Sequence, residues 1–234
     1  MSDPFQVVRD FEQGLCNYTG APYAVTTTSC TMALLLAVAW HLRGRVHGFR
    51  PIKIRPHDSP EPGYPWLYES IAPLIEIPKR TYISVPQSII SAGGRPTFRD
   101  QEWLGAYQLA PLPVFDSARY LTSGMYHNSG YFYGVPHMMI CLSFHWCKTL
   151  GIQQGGAILH DDPEADRWLR RARFDGRTEG VVPKDDRFDM VGWHCYMSPE
   201  VAALGLMRLR WLPKHNKPMP NDDYPDLSQM DIFK

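Results

Sequence analysis

The sequence predicts an α/β fold in one good-sized domain, and three observations predict it. Segments of strand character alternate with segments of helix character along most of the 234 residues, the order that builds a sheet covered by helices. Polar residues follow directly on three of the strand candidates, where a parallel sheet gathers its ligand-binding groups. With 44% hydrophobic and 12% aromatic residues, the chain has enough apolar surface to bury a core and stay folded.

Asp3 to Leu15 has the spacing of a short amphipathic helix, and Gly20 and Pro22 break the chain after it. Tyr23 to Thr28 (YAVTTT) is a β-branched strand candidate. Ser29 can cap the helix that follows, from Thr31 to about Arg43. Within it, Met32 to Trp40 (MALLLAVAW) is about half the length of a membrane span and reads as a buried helix. Eleven of the twenty-one prolines lie between Pro51 and Pro113. That region is expected to be irregular, with short strands near Thr81–Val85 and Pro96–Phe98. Pro113 to Phe115 reads as a short strand ending at Asp116, and His137 to Phe144 as another leading to Lys148. Gly155–Gly156 form a turn before a strand at Ala157 to His160. Helices are expected at Pro163–Arg173 and Pro199–Leu212, where proline suits the first turn.

Charge narrows the function. The 24 basic and 24 acidic residues cancel, and without a basic tract there is no footprint for duplex nucleic acid or an anionic membrane. The opening MSDPFQVVRDFEQGL has neither a basic leader nor a long apolar run, so no signal peptide is expected. Five cysteines, an odd number without a CxxC pair, suit reduced thiols and a cytoplasmic location. His145 and Cys147 lie close together, but no second ligand pair accompanies them, and no metal is expected.

The three polar elements each have a plain reading and a chemical one. Ser29-Cys30-Thr31 opens a helix; it is a simple N-cap, or a phosphate cradle of backbone N–H groups and a hydroxyl. Asp116 ends a strand; it caps the next helix, or holds a protonated ring nitrogen on a cofactor. In Ser143-Phe144-His145-Trp146-Cys147-Lys148, the lysine sits in an apolar stretch. It snorkels from a strand end, or it is desolvated, which lowers its pKa and makes it a nucleophile towards an aldehyde. His145 reads as a packed histidine with proton transfer as the alternative, and Trp146 as core. Arg119 reaches a phosphate or substrate carboxylate, or makes a surface ion pair. Arg167, Arg170, Arg171 and Arg173 read as a solvated helix face.

Five blocks in order resemble the DegT/DnrJ/StrS family of pyridoxal-phosphate (PLP) sugar aminotransferases: FEQGLCNYTGAPYAVTTTSCTMALLLAV, ISVPQSIISAGGRPTFRD, VFDSAR, LSFHWCKTLGIQQGGAIL and VGWHCYMSPEVAALGLMRL. The resemblance implies the three-layer, mainly parallel sheet of a type I aminotransferase large domain. It places that PLP-binding domain at residues 1–192, interrupted by an irregular proline-rich insertion at about 48–80, with a short helical remnant at 193–234 in place of most of the C-terminal small domain. Lys148 would form the Schiff base with PLP, and Asp116 would pair with the pyridine nitrogen. Cys30, Thr31 and Ser143 would hold the phosphate, Arg119 would bind nearby, and Ile90 would cover the ring. Glutamate or glutamine would give its amino group to a keto sugar, in a homodimer with the site at the interface. Three departures stand out. The stretch from Asp100 to Val114 is too short for the family's strand and helix units. Gln154 replaces a glutamate. His194 and Tyr196 replace an asparagine and an arginine. Two other readings therefore stand beside the aminotransferase: a PLP-dependent decarboxylase or lyase acting on an amino-acid-bearing nucleotide or polymer, and a non-catalytic scaffold or partner subunit.

Overall fold

The computed structural model describes residues 3–43, 72–128, 130–132, 134–221 and 223–234, so most of the proline-rich insertion lies outside the described residues. In chain order the main elements are α1 (Gln6–Thr19), β1 (Tyr23–Thr27), α2 (Cys30–Leu42), β2 (Leu74–Pro78), α3 (Ser84–Ser91), β3 (Arg95–Arg99), β4 (Tyr107–Gln108), β5 (Val114–Asp116), α4 (Met125–Asn128), β6 (Met139–Ser143), β7 (Gly156–His160), α5 (Pro163–Ala172) and α6 (Pro199–Leu209).

Five strands form the central sheet in the order β1-β7-β6-β5-β4. β5 and β6 are parallel, whereas β7 runs antiparallel to both β1 and β6 and β4 runs antiparallel to β5. The strands expected to carry the site, β1, β5 and β6, therefore point the same way and end at one edge. β2 and β3 form a separate parallel pair, tied to the segment after β4 where the Glu76 and Ala110 backbones exchange hydrogen bonds of 2.7 and 3.0 Å. The short link between Asp100 and Val114 accordingly contributes only the two-residue β4.

Side chains alternate between the two faces of the sheet, as the two-residue repeat of a strand requires. Val25, Val114, Met139, Cys141 and Ile158 pack beneath α2, α3 and α5. Ala24, Phe115, Ile140, Leu142 and Leu159 pack on the opposite side, beneath α1 and α6. The result is helix, sheet, helix. Ala33 through Trp40 and Leu42 of α2 are all buried, as expected of a helix apolar all round.

Three local expectations are corrected. Thr81–Val85 is not a strand: the pairing strand is Leu74–Pro78, and the helix α3 begins at Ser84 with Pro86 in its first turn, where proline is tolerated. Trp146 is 71% exposed rather than part of the core. The arginine cluster on α5 is not uniformly solvated, because Arg173 is 1% exposed and bound to a buried carboxylate, Glu12.

Beyond α6 the chain turns back across the molecule. Ser123 N–H donates to Lys214 O at 2.9 Å, Met219 N–H to Arg119 O at 2.8 Å, and Leu227 N–H to Lys79 O at 2.8 Å. Among the described residues, the region expected as a helical remnant holds α6, packed on α1, and a tail pinned to the sheet unit that ends in two short 3-10 turns, Leu227–Gln229 and Asp231–Phe233.

Candidate active site

The carboxyl ends of β1, β5 and β6 open on one cavity of about 370 Å³. Cys30 and Thr31 follow β1, Asp116 ends β5, and Ser143 and Lys148 follow from β6; all five line that cavity, as does Arg119. Ile90 does not. It lies near the far end of α3, 48% exposed, and the helix instead presents its first residues, Ser84 and Val85, to the cavity.

Ser29 caps α2 by accepting a hydrogen bond from Met32 N–H at 3.2 Å. The N–H groups of Cys30 and Thr31 precede the helix's own hydrogen-bond ladder, and they sit where its dipole favours an anion. The Thr31 and Ser84 hydroxyls lie 2.7 Å apart, so two helix starts bring their oxygens together. Gly155 and Gly156 do more than turn the chain. Ser29 and Gly155 form an isolated bridge, and a Cβ on Gly156 would sit 2.5 Å from Cys30 N and 2.6 Å from Ser29 C. Gly156→Ala is therefore expected to push β7 away from the start of α2 and to cost about 1–3 kcal/mol, measured by urea denaturation. An unchanged midpoint would show that the strand and helix separate without cost.

Asp116 is buried beside Tyr107, whose hydroxyl donates to it at 2.8 Å, and Ala118 N–H donates at 2.9 Å. Burial pushes its carboxyl above the usual range; the two hydrogen bonds and the Lys148 and Arg119 charges oppose that push. Two carboxylate oxygens have room for more than two hydrogen bonds, and a buried carboxylate of this kind suits a protonated ring nitrogen. Tyr107 has no distinguishing mark in the sequence. It stands directly opposite Asp116 across the β4–β5 pair, and its hydroxyl also meets that of Thr81 at 2.6 Å.

Lys148 is half-buried. Burial lowers its pKa and the Arg119 guanidinium lowers it further, against the opposing pull of Cys147, Asp116 and Cys30. His145 is exposed rather than packed; its Nδ1 is 3.1 Å from Cys147 Sγ, and both residues line the cavity. Arg119 is buried rather than on the surface: its Nη1 donates to Pro220 O at 2.5 Å and its Nη2 is 3.5 Å from Tyr224 Oη. His194 bonds Asp175 at 2.9 Å and Tyr196 packs against Phe5 and Phe174; neither lines the cavity. Among the described residues there is no cluster that could hold a metal ion. No helix among them is long and apolar enough to cross a membrane.

The profile of the DegT/DnrJ/EryC1/StrS aminotransferase family matches residues 3–44 and 126–218, more than half of the chain and including Lys148. No curated protein matches at a significant level. Solved structures share the fold. The Helicobacter pylori aminotransferase PseC, involved in the biosynthesis of pseudoaminic acid, is 15% identical with a TM-score of 0.61, over 89% of this chain and 58% of that one. The sugar aminotransferase CalS13 from Micromonospora echinospora is 17% identical with a TM-score of 0.61, over 88% and 61%. NtdA from Bacillus subtilis, solved with bound PMP, is 17% identical with a TM-score of 0.58, over 91% and 49%. The chain thus spans about three fifths of the first two structures and half of the third.

Proposed function

The chain belongs to the DegT/DnrJ/EryC1/StrS aminotransferase family, and from that premise we propose that it is a PLP-dependent aminotransferase. It would move an amino group from an amino acid, glutamate or glutamine, to a keto sugar or similar small metabolite, with Lys148 as the reacting amine. One observation carries the reading: Lys148, Asp116 and the N-terminus of α2 open on a single cavity.

The residues fit the cofactor. PLP, when bound, supplies an aldehyde for an amine and a ring that accepts electrons from the substrate. The first turn of α2, with the hydroxyls of Thr31, Ser84 and Ser143, makes a binding site for its phosphate. Asp116, fixed by Tyr107 and Ala118, keeps a proton on the ring nitrogen. The lowered pKa of Lys148 leaves more neutral amine at a given pH than an ordinary lysine has, so Nζ can act as a nucleophile and afterwards take up and return a proton. Tyr82, Trp103 and Tyr224 line the same cavity and help to exclude water. The same reading makes the working unit a homodimer acting in the cytoplasm, and light scattering of the purified protein checks the first of these.

The test is the visible absorption spectrum of protein reconstituted with PLP, recorded beside Lys148→Ala before and after glutamate. The expected result is a band above 400 nm, roughly where a PLP–lysine chromophore absorbs, that is present only with Lys148 and is converted by glutamate. A Lys148-dependent band accompanied by CO₂ release and no keto acid would replace transamination with a decarboxylase. No Lys148-dependent band would overturn the enzyme reading and leave a scaffold.

A further inference from the structure

The cavity has two kinds of wall. Cys30, Thr31, Ser143 and Lys148 fall within the residues that match the family profile and Asp116 and Arg119 outside them, all polar groups at the floor, whereas Tyr82, Trp103 and Tyr224, also outside, line it with aromatic rings. Tyr224 comes from the returning tail. Asp223 and Pro225 on either side of it are exposed, so the tail runs over the surface with the Tyr224 side chain turned to the cavity.

That segment is held at both ends. Met219 N–H donates to Arg119 O at 2.8 Å and Arg119 Nη1 donates to Pro220 O at 2.5 Å. On the other side Leu227 N–H donates to Lys79 O at 2.8 Å. Between these anchors Arg80 Nη1 reaches Tyr224 O at 3.4 Å. The Tyr224 ring lies edge-on to Tyr82, centroids 6.2 Å apart, with the Arg119 guanidinium 5.9 Å from its centre. A surface segment tied down before and after an inward-facing tyrosine is a fixed wall, and a fixed wall limits what passes it.

We infer that Tyr224 is a specificity-determining residue: with Tyr82 it sets the size of the molecule that can reach Lys148. This deepens the aminotransferase reading, and it rests on Lys148 being that site's reacting amine. It also separates two tasks. The cofactor would be held from strand ends, helix starts and the turn carrying Lys148, whereas the size limit is set by Tyr82 and Tyr224, side chains that can change while the anchors of Arg119 to Met219 and Pro220 stay in place.

The test uses the full chain without PLP. Lys148 is alkylated with cyanoborohydride and either formaldehyde or 1-naphthaldehyde, and its modification is followed by peptide mass spectrometry. In wild type, formaldehyde should modify Lys148 readily and naphthaldehyde slowly. Tyr224→Ala should raise the naphthaldehyde rate about tenfold, as expected on removing a modest steric barrier, with the formaldehyde rate unchanged. Tyr224→Phe, which keeps the ring, should behave as wild type. If circular dichroism shows that Tyr224→Ala is misfolded, Tyr224→Leu takes its place with the same expectation. Equal naphthaldehyde rates in wild type and the folded variant would overturn the inference, and so would equal acceleration by both aldehydes, which marks general loosening of the tail. Because no PLP is present, a missing PLP spectrum would refute the proposed function without altering this result.

Discussion

Asp116→Asn is expected to slow the glutamate-driven spectral change by about 10²–10³-fold, the usual cost of removing one pre-set electrostatic partner from a catalytic site. The substitution keeps the shape and retains an oxygen to accept from Tyr107 or Ala118. It removes the negative charge that would hold a proton on the cofactor's ring nitrogen, and with it the ring's pull on electrons. Stability should move the other way. Burial already penalises the Asp116 carboxylate, so the neutral amide relieves a desolvation cost in the cofactor-free protein. A melting temperature equal to or above that of wild type, together with a large rate loss, would identify Asp116 as a residue kept for chemistry. An unchanged rate would remove it from the site.

The floor of the cavity is legible in the sequence because its determinants are local. A strand ending in a polar residue, a serine before the uninterrupted run MALLLAVAW and a lysine in SFHWCK each depend on neighbours in sequence. Tyr107, Ser84, Tyr82, Trp103 and Tyr224 were not readable, since each reaches the cavity only through tertiary packing. Tyr107 meets Asp116 across a two-residue strand that has no periodicity to detect. Ile90 is the position the resemblance assigns to covering the ring, but it lies near the far end of α3, away from the cavity. The arginines on and just after α5 depart from the sequence expectation for a related reason. Four arginines within seven residues look solvated until the partner on α1 is known. A signal did exist there: Glu12 interrupts the apolar stripe Val8, Phe11 and Leu15, all buried, and a carboxylate on a core-facing stripe requires a buried cation.

That pair carries the largest stability prediction. Arg173→Met is expected to destabilise the fold by about 3–4 kcal/mol, the lower part of the usual cost of breaking a buried ion pair, because Arg170 still holds Glu12. Glu12 joins three elements: it accepts from Thr26 N–H at 2.9 Å and Thr26 Oγ1 at 2.8 Å on β1, from Arg170 Nη1 at 2.6 Å, and from Arg173 on the stretch leaving α5. Arg173 also donates to Thr26 O at 2.7 Å, fixing the strand that leads to Ser29. Burial alone would raise the Glu12 carboxyl, but Arg173 and Arg170 outweigh it and hold the carboxyl at about 2. A depressed folded-state value stabilises the protein above the ordinary glutamate range, and that contribution is lost as pH falls through about 4.5 towards 2. Wild type should therefore lose stability steeply across that window, and Arg173→Met should lose less because part of the pairing is already gone. Urea midpoints for both proteins between pH 7 and pH 3 provide the check, with parallel pH profiles as the contrary result. Adding Glu12→Leu to Arg173→Met should recover part of the loss, since an apolar pair leaves less uncompensated charge. Arg170 would keep its 2.8 Å bond to Asp166 and its 3.3 Å bond to Ala24 O but lose its second carboxylate, so recovery should be incomplete. A double variant no more stable than Arg173→Met would show that the arginine acts by bracing Thr26 rather than by neutralising Glu12.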